Sequence, residues 1–390
     1  MPVRRVVAAV ATVGVLAGCG GGSSTNAGPG PGSGPSTSPS PGAGTSPSTS
    51  AGASPTTSPS TPSASPSSSG SPAHPIVVPA TQEVLDWQRV PGPTKEIVTV
   101  GGPWTLAVAS GGARARLEGP HPHTVLAGAH AGITGTFMDG SHAMVVSEDR
   151  LAQSPDVATV VDLTTGKVTR LDRTSTPPTV VGGTWALGPG TVLHATSGAR
   201  RSYCVATVDL ATRNGTTGWC AKPRDGFSQA TITDSATTMM TFDSHRPSCR
   251  TLVEVEGRTL VPIPGVPDCL GWDSSLTAAG AVWSLVPNQH RIEAAHFYAH
   301  TAAGWFDLGP GVSGSLVTCG GSSFFTRDPQ TRSAPATLMR WDPDASALSV
   351  AYSSPAHGNA FLAPPRCGGD HITVTAYSAR GDEQVTAAVR

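Results

Sequence analysis

The clearest pattern in the chain is VATVVDLTTGKVTRL at residues 157–171, two stretches of alternating apolar and polar positions that meet at Thr164, Thr165 and Gly166. Alternation with a period of two turns one face of a strand toward a core, and a short polar turn between two such runs predicts a β-hairpin. A greasier pattern recurs around it. Short apolar runs stand at WTLAV from Trp104, HAMVV from His142, TVLHA from Thr191, TTMMT from Thr237, GAVWS from Gly280, SSFFT from Ser322 and HITVT from His371, spaced by 38 to 49 residues and by 44.5 on average. Each run predicts a strand.

The neighbours of these runs repeat as well. A short strand precedes several of them, as in EIVTV before Trp104, TWALG before Thr191, ATITD before Thr237 and SLVTC before Ser322. A polar loop and then a hairpin follow, as in VATVDLATRNGTTGWC, CRTLVEVEGRTLVPI and HFYAHTAAGWFDL. Several strands in a period of 40 to 50 residues are the footprint of a β-propeller. The fold expected is therefore all-β, a seven-bladed β-propeller, with six or eight blades as the neighbouring counts. The seventh copy ends after EQVTAAV, one strand short, while LDWQRVP at residues 85–91 has no partner of its own. That segment is predicted to supply the missing outer strand, so that both chain ends share one blade and no sheet edge stays open.

Composition sharpens this picture. Only 13% of the 390 residues are charged and 5% are aromatic, against 46 Gly and 36 Pro, which favours turns over long helices. Net charge is −1, with Lys only at Lys95, Lys167 and Lys222, so no basic field points to a nucleic-acid partner.

The first 75 residues read differently. Residues 1–19 carry Arg4 and Arg5, then a mostly apolar run from Val6 to Leu16, then Leu16, Ala17, Gly18 and Cys19. The run is too short to span a bilayer and reads as a signal peptide. Residues 20–75 are nearly all Ser, Pro, Thr, Gly and Ala, which cannot build a core and predict a disordered tether with a span of roughly 40 Å. Residues 76–390 are left for the propeller domain. The four residues ending at Cys19 resemble the bacterial lipobox. That resemblance implies a lipoprotein of the high-GC Gram-positive type, diacylated (palmitate) at Cys19 and held in the bilayer on the extracytoplasmic side of the cell membrane. The domain behind it is similar in architecture to WD40-like and YVTN-type propellers of cell-surface lipoproteins, although WD dipeptides and YVTN motifs are both missing.

Six further cysteines, Cys204, Cys220, Cys249, Cys269, Cys319 and Cys367, make an even number, and disulfides are expected outside the cytoplasm. Cys204 opens and Cys220 closes one hairpin, and Cys249 and Cys269 bracket the corresponding hairpin one repeat on. Cys319 and Cys367 stand in matching contexts, CGGSSF and CGGDHI, at the turn after the first strand of the last two blades. No pair has the spacing of a metal site.

No motif carries a recognisable reaction. There is no nucleophile elbow, and Ser313 lacks the right flanks. His296 and His300 sit in a strand, where they share a face without the geometry of a helical zinc pair. Asp342 and Asp344 flank Pro343 at a predicted hairpin tip and read as turn formers. Trp104, Trp185, Trp272, Trp283, Trp305 and Trp341 read as wedges between blades. No catalytic residue, metal or cofactor is assigned.

The second-to-third-strand loops, which all leave one face of a propeller, read SGARRS, DSHRPS, PNQHRI and RDPQTRS in four consecutive copies. They bring Arg200, Arg201, Arg246, Arg291, Arg327 and Arg332, a candidate anion-binding arc, against Asp243 and Asp328. Ordinary solvated loops are the alternative. The function expected is a non-catalytic binding or scaffolding module for an envelope protein or an anionic glycopolymer. The rival is a propeller enzyme, a lyase or hydrolase acting on envelope or extracellular glycans.

Overall fold

The computed structural model describes residues 74–83 and 85–389. The regular structure of these residues is 31 strands and one 3-10 turn at Ala199–Arg201, an all-β chain. The seven apolar runs are the strands Trp104–Val108, His142–Asp149, Thr191–Ser197, Thr237–Phe242, Gly280–Leu285, Ser322–Arg327 and His371–Ser378, each second in a meander and hydrogen-bonded on both sides. Their side chains are buried in unbroken series, four in a row in His142–Asp149 and five in Thr191–Ser197. A strand covered on both faces has no solvent side, so its sequence is a continuous apolar run instead of an alternation.

Local chemistry sets the turns. In the hairpin at 157–171 Val161 pairs with Val168, the Asp162 carboxylate accepts the N–H groups of Thr164 and Thr165 at 2.9 Å, and Gly166 takes φ +71°. Asp342 does the same for Asp344 and Ala345.

Five sheets are discrete blades: I (97–126), II (185–220), III (226–262), IV (271–312) and V (317–357). The remaining strands form one nine-stranded sheet, with an early half (131–171) and a late half (360–388). The expected seven blades are thereby corrected, for the structure shows five discrete blades, not seven. The two halves are joined by a single parallel bridge between Met138 and Gly368. A Cβ at Gly368 would stand 2.2 Å from the Val100 carbonyl oxygen and 2.7 Å from Met138 Cε, and one at Gly101 would stand 2.7 Å from the Gly368 oxygen. Two bare glycines let these innermost strands meet across the first strand of blade I, a closeness no strand pattern reveals.

The apolar clusters lie between neighbours. Trp104, Leu106 and Leu117 of blade I pack with Met138 and Val145 of the early half, and Phe297 of blade IV stacks on Phe325 of blade V with ring centroids 4.0 Å apart. Polar ties follow the same circuit: Asp156 to Gly182 and Trp185, Thr184 to Ala230, Thr238 to Ser274 and Ser275 to Thr318. The circuit closes where Thr373 accepts the Val100 N–H at 3.2 Å and Gln384 reaches the Glu96 carbonyl. This is a propeller, each sheet packing both of its faces on its neighbours.

Residues 85–91 meet their expectation. Gln88–Arg89 pairs antiparallel with Glu383–Ala388, with Gln88 opposite Thr386 and Arg89 opposite Val385. The sequence pattern did not foresee the two strands before it. Ile76–Val77 adds in parallel to the outer strand of blade IV and Thr81–Gln82 to that of blade V. Residues 76–83 and 85–89 thus form a belt across the outer edges of three sheets. Trp87 pins it, donating Nε1–H to the Ala351 carbonyl at 2.7 Å and meeting Tyr352 edge to face.

All six cysteines of the propeller pair as expected: Cys204 with Cys220, Cys249 with Cys269, and Cys319 with Cys367. The first joins residues directly opposite in one hairpin, and the last joins the inner strands of blade V and the late half. The segments expected to be a signal peptide and a tether, with Cys19, lie outside the described residues up to residue 73.

Candidate functional site

Two places gather polar chemistry. The first is the set of second-to-third-strand loops on blades II to V. Arg200, Arg201, Arg246, Arg291 and Arg332 are exposed there. Arg200 and Arg201 form the 3-10 turn and both hold φ near +60°, in the left-handed region that costs a side-chain-bearing residue about 1 to 3 kcal/mol. The other members are not equivalent. Arg291 is engaged by Glu293 at 3.3 Å. Arg327 is turned inward, its Nε and Nη2 donating to the Pro310 and Leu308 carbonyls at 2.8 Å, and burial holds its guanidinium below the ordinary arginine value. It braces blade V against blade IV, which corrects its place in the arc. Beside Arg246, Asp243 accepts from the Cys249 and His245 N–H groups and from the His245 ring at 2.5 Å. These bonds hold the Asp243 carboxyl down and raise the His245 imidazole. The loops therefore present Arg200, Arg201, Arg246 and Arg332 outward, with Arg291 half neutralised.

The second place is a cavity of about 480 Å³ under the belt, where blade V meets the late half. The belt gives it Glu83, Asp86 and Gln88, blade V gives Arg340, and the late half gives His371 and Thr386. Arg340 is buried, its side chain 9% exposed. It pairs through Nη1 with Glu83 and donates from Nε to Ser322 Oγ at 3.0 Å. The second Glu83 oxygen accepts from Ser349 Oγ at 2.6 Å. His371 Nδ1 faces Asp370 at 2.6 Å. The pattern of 335–342, PATLMRWD, carried one legible sign of this place: a charged residue at a position whose neighbours Met339 and Trp341 are wholly buried. Its partner Glu83 is 257 residues away, and no spacing rule connects the two.

The remaining candidates fall where the pattern put them. His296 bonds Asp307 at 2.5 Å and His300 stacks on Trp305. Trp104, Trp185, Trp283 and Trp341 are buried, and Trp272 and Trp305 pack partly buried against the core. Ser313 Oγ donates to the Ile292 carbonyl in a turn. Among the described residues no group of three or more His, Cys, Asp or Glu side chains is placed to hold a metal ion, and no helix is long and apolar enough to cross a membrane.

No protein-family model matches the chain, and no curated protein sequence is similar to it. Solved structures are similar in fold. The β-propeller domain of the Trilobed protease from Pyrococcus furiosus, of open velcro topology, superposes with a TM-score of 0.51 at 8% identity, covering 74% of this chain and 93% of that one. A structure from a study of two prolyl endopeptidases gives 0.50 at 13% identity, covering 74% of this chain and 46% of that one, so this chain spans about half the length of that enzyme. An oligogalacturonate lyase in complex with manganese gives 0.49 at 11% identity, covering 81% and 97%. At these identities the likeness to the first two establishes a β-propeller and nothing about chemistry.

Proposed function

We propose that the protein is a lipid-anchored, extracytoplasmic binding module whose propeller presents its arginine-bearing loops to an anionic glycopolymer or acidic protein of the cell envelope. The observation that carries this reading is the row of outward arginines on equivalent loops of consecutive blades, with Arg200 and Arg201 both held in the left-handed region at the tip of their loop. Guanidinium groups on a rigid rim suit carboxylate or phosphate groups repeated along a polymer. Location is supported separately. Three disulfides fit an oxidising compartment, and they use every cysteine but Cys19, which the lipobox resemblance assigns to acylation.

The test has two arms. Cys19→Ser is expected to move the protein from the membrane fraction to the medium. Arg200→Ala, Arg201→Ala and Arg246→Ala together are expected to lower retention of a defined polyuronate at low salt, with the gap closing as salt rises. Equal retention by variant and wild type removes the rim reading.

A second reading is an enzyme acting on envelope glycans or peptides. It is favoured by the propellers of similar fold, which come from a protease and prolyl endopeptidases. Release of cleavage products from polyuronate or peptide by the purified chain supports that reading, and unchanged substrates after long incubation reject it.

A further inference from the structure

We propose that the arginine rim grips its ligand at the seam between blades II and III, around Tyr203, and that the ligand is a chain of uronic-acid sugars; this rests on the rim reading above. The last strand of blade II ends at Cys220, opposite Cys204, beside the start of the third strand at Tyr203. The connection to blade III therefore leaves the same face as the second-to-third-strand loops. Backbone bonds then tie it to both arginine loops. The Ala221 N–H donates to the Tyr203 carbonyl at 2.8 Å, the Asp225 N–H closes a turn on the Lys222 carbonyl at 3.0 Å, and the Asp225 carboxylate accepts the Ser244 N–H at 3.1 Å. Residues 199–203, 221–225 and 243–246 thus form one continuous patch.

The patch reverses the charge of the chain. The whole sequence carries −1, yet here Arg200, Arg201, Lys222, Arg224 and Arg246, all exposed, stand against two carboxylates, Asp225 and Asp243. Both carboxylates are engaged by backbone N–H groups, and Asp243 also by the His245 ring. Among the described residues none of the five cations belongs to an ion pair, unlike Arg291. Charge by itself suits any polyanion, and Tyr203 narrows the choice. It is 42% exposed, next in sequence but one to Arg201 and opposite Ala221 on the neighbouring strand. The other strongly exposed aromatic, Phe361, is stacked on Tyr377 with centroids 4.9 Å apart, whereas among the described residues no ring covers Tyr203. An open, rigid ring offers a flat apolar face to the C–H face of a sugar and a hydroxyl to its rim. Guanidinium groups on either side take the carboxylates that uronic acids carry on each ring. An acidic peptide or a polyphosphate supplies the charge without the ring face.

The test titrates the full chain by calorimetry with an oligogalacturonate of uniform length, its methyl ester, polyglutamate and polyphosphate, at low and moderate salt. The free uronate is expected to bind and the ester to bind roughly tenfold weaker or worse. Lys222→Ala with Arg224→Ala should weaken binding roughly tenfold at low salt, the gap narrowing as salt rises. Tyr203→Ala should weaken it roughly fivefold at both salt levels, because stacking is not screened, and Tyr203→Phe should restore most of the loss. Arg213→Ala with Arg258→Ala removes the same charge from exposed third-to-fourth-strand turns of the same two blades and should leave affinity unchanged. Equal losses from the two double variants, unchanged affinity in Tyr203→Ala, or tighter binding of polyglutamate or polyphosphate each overturns the proposal while leaving the rim reading standing. If wild type binds none of the polyanions, the rim reading fails and this proposal fails with it.

Discussion

Asp273 gives the sharpest quantitative expectation. It is the third residue of the strand Gly271–Thr277 in blade IV, 5% exposed. Its Oδ2 accepts from Ser284 Oγ at 3.0 Å and from the Gly314 N–H at 2.8 Å, which fixes the turn leading into blade V. Two neutral donors do not offset the loss of water, and burial pushes the carboxyl up from 3.8 to about 7. A carboxyl that titrates higher in the folded chain than in the unfolded one binds more protons when folded between those two values. Folding stability from this group is therefore fully present below about pH 4, falls as pH rises toward 7, and is level above it. At about 1.4 kcal/mol for each tenfold change in proton affinity, the loss is on the order of 4 kcal/mol. Asp156, pushed up to about 6 by burial between the early half and blade II, adds a fall of the same sign. The perturbation is Asp273→Asn, which keeps an acceptor for Gly314 and cannot ionise. Urea unfolding followed from about pH 5 to about pH 8 should show wild type losing several kcal/mol and the variant much less. Near pH 5 the variant should be about 1 kcal/mol the weaker, because its amide nitrogen puts two buried donors where the protonated acid has one. Near pH 8 it should be the more stable of the two. Parallel profiles for the two proteins refute the reasoning.

Three further expectations follow from the closure of the ring. Gly368→Ala places a Cβ against the Val100 carbonyl and Met138, and should destabilise the fold by about 1 to 3 kcal/mol, read by chemical denaturation, with new amide exchange at residues 136–138. Trp87→Ala removes the belt's bond to Ala351 and its contact with Tyr352, and should cost roughly 3 kcal/mol while exposing the amides paired with Gln88–Arg89 to exchange. Opening Cys319–Cys367, which closes a loop of 48 residues, should cost about 4 kcal/mol. Opening Cys204–Cys220, with a separation of 16, should cost about 3, and the order of the two midpoints checks this.

Much of the architecture was legible because a doubly covered strand leaves a strong mark. HAMVV, TVLHA and SSFFT are apolar without alternation, and only a strand with both faces buried forces that. Their even spacing then implies equal units, and the orphan segment 85–91 followed from a ring one strand short. Cysteine pairing was legible for the same reason, since equal contexts in equal units are brought together. The sequence by itself thus determined the strands, the turns, the propeller class and the three disulfides.

Tertiary structure decided the rest. How many sheets stay separate depended on two glycines 267 residues apart, Gly101 and Gly368, whose missing side chains let strands meet. Which arginine is free to bind depended on what lies beside it: Arg327 faces carbonyls and Arg291 an acid, while Arg200 and Arg201 stand exposed. The cavity under the belt exists only because Thr81–Gln82 pairs with blade V and Gln88–Arg89 with the late half, setting Glu83 against Arg340. Periodic patterns report which face of a strand is covered, a local property repeated along the chain. Close approaches between distant segments leave no period, and those approaches make the sites.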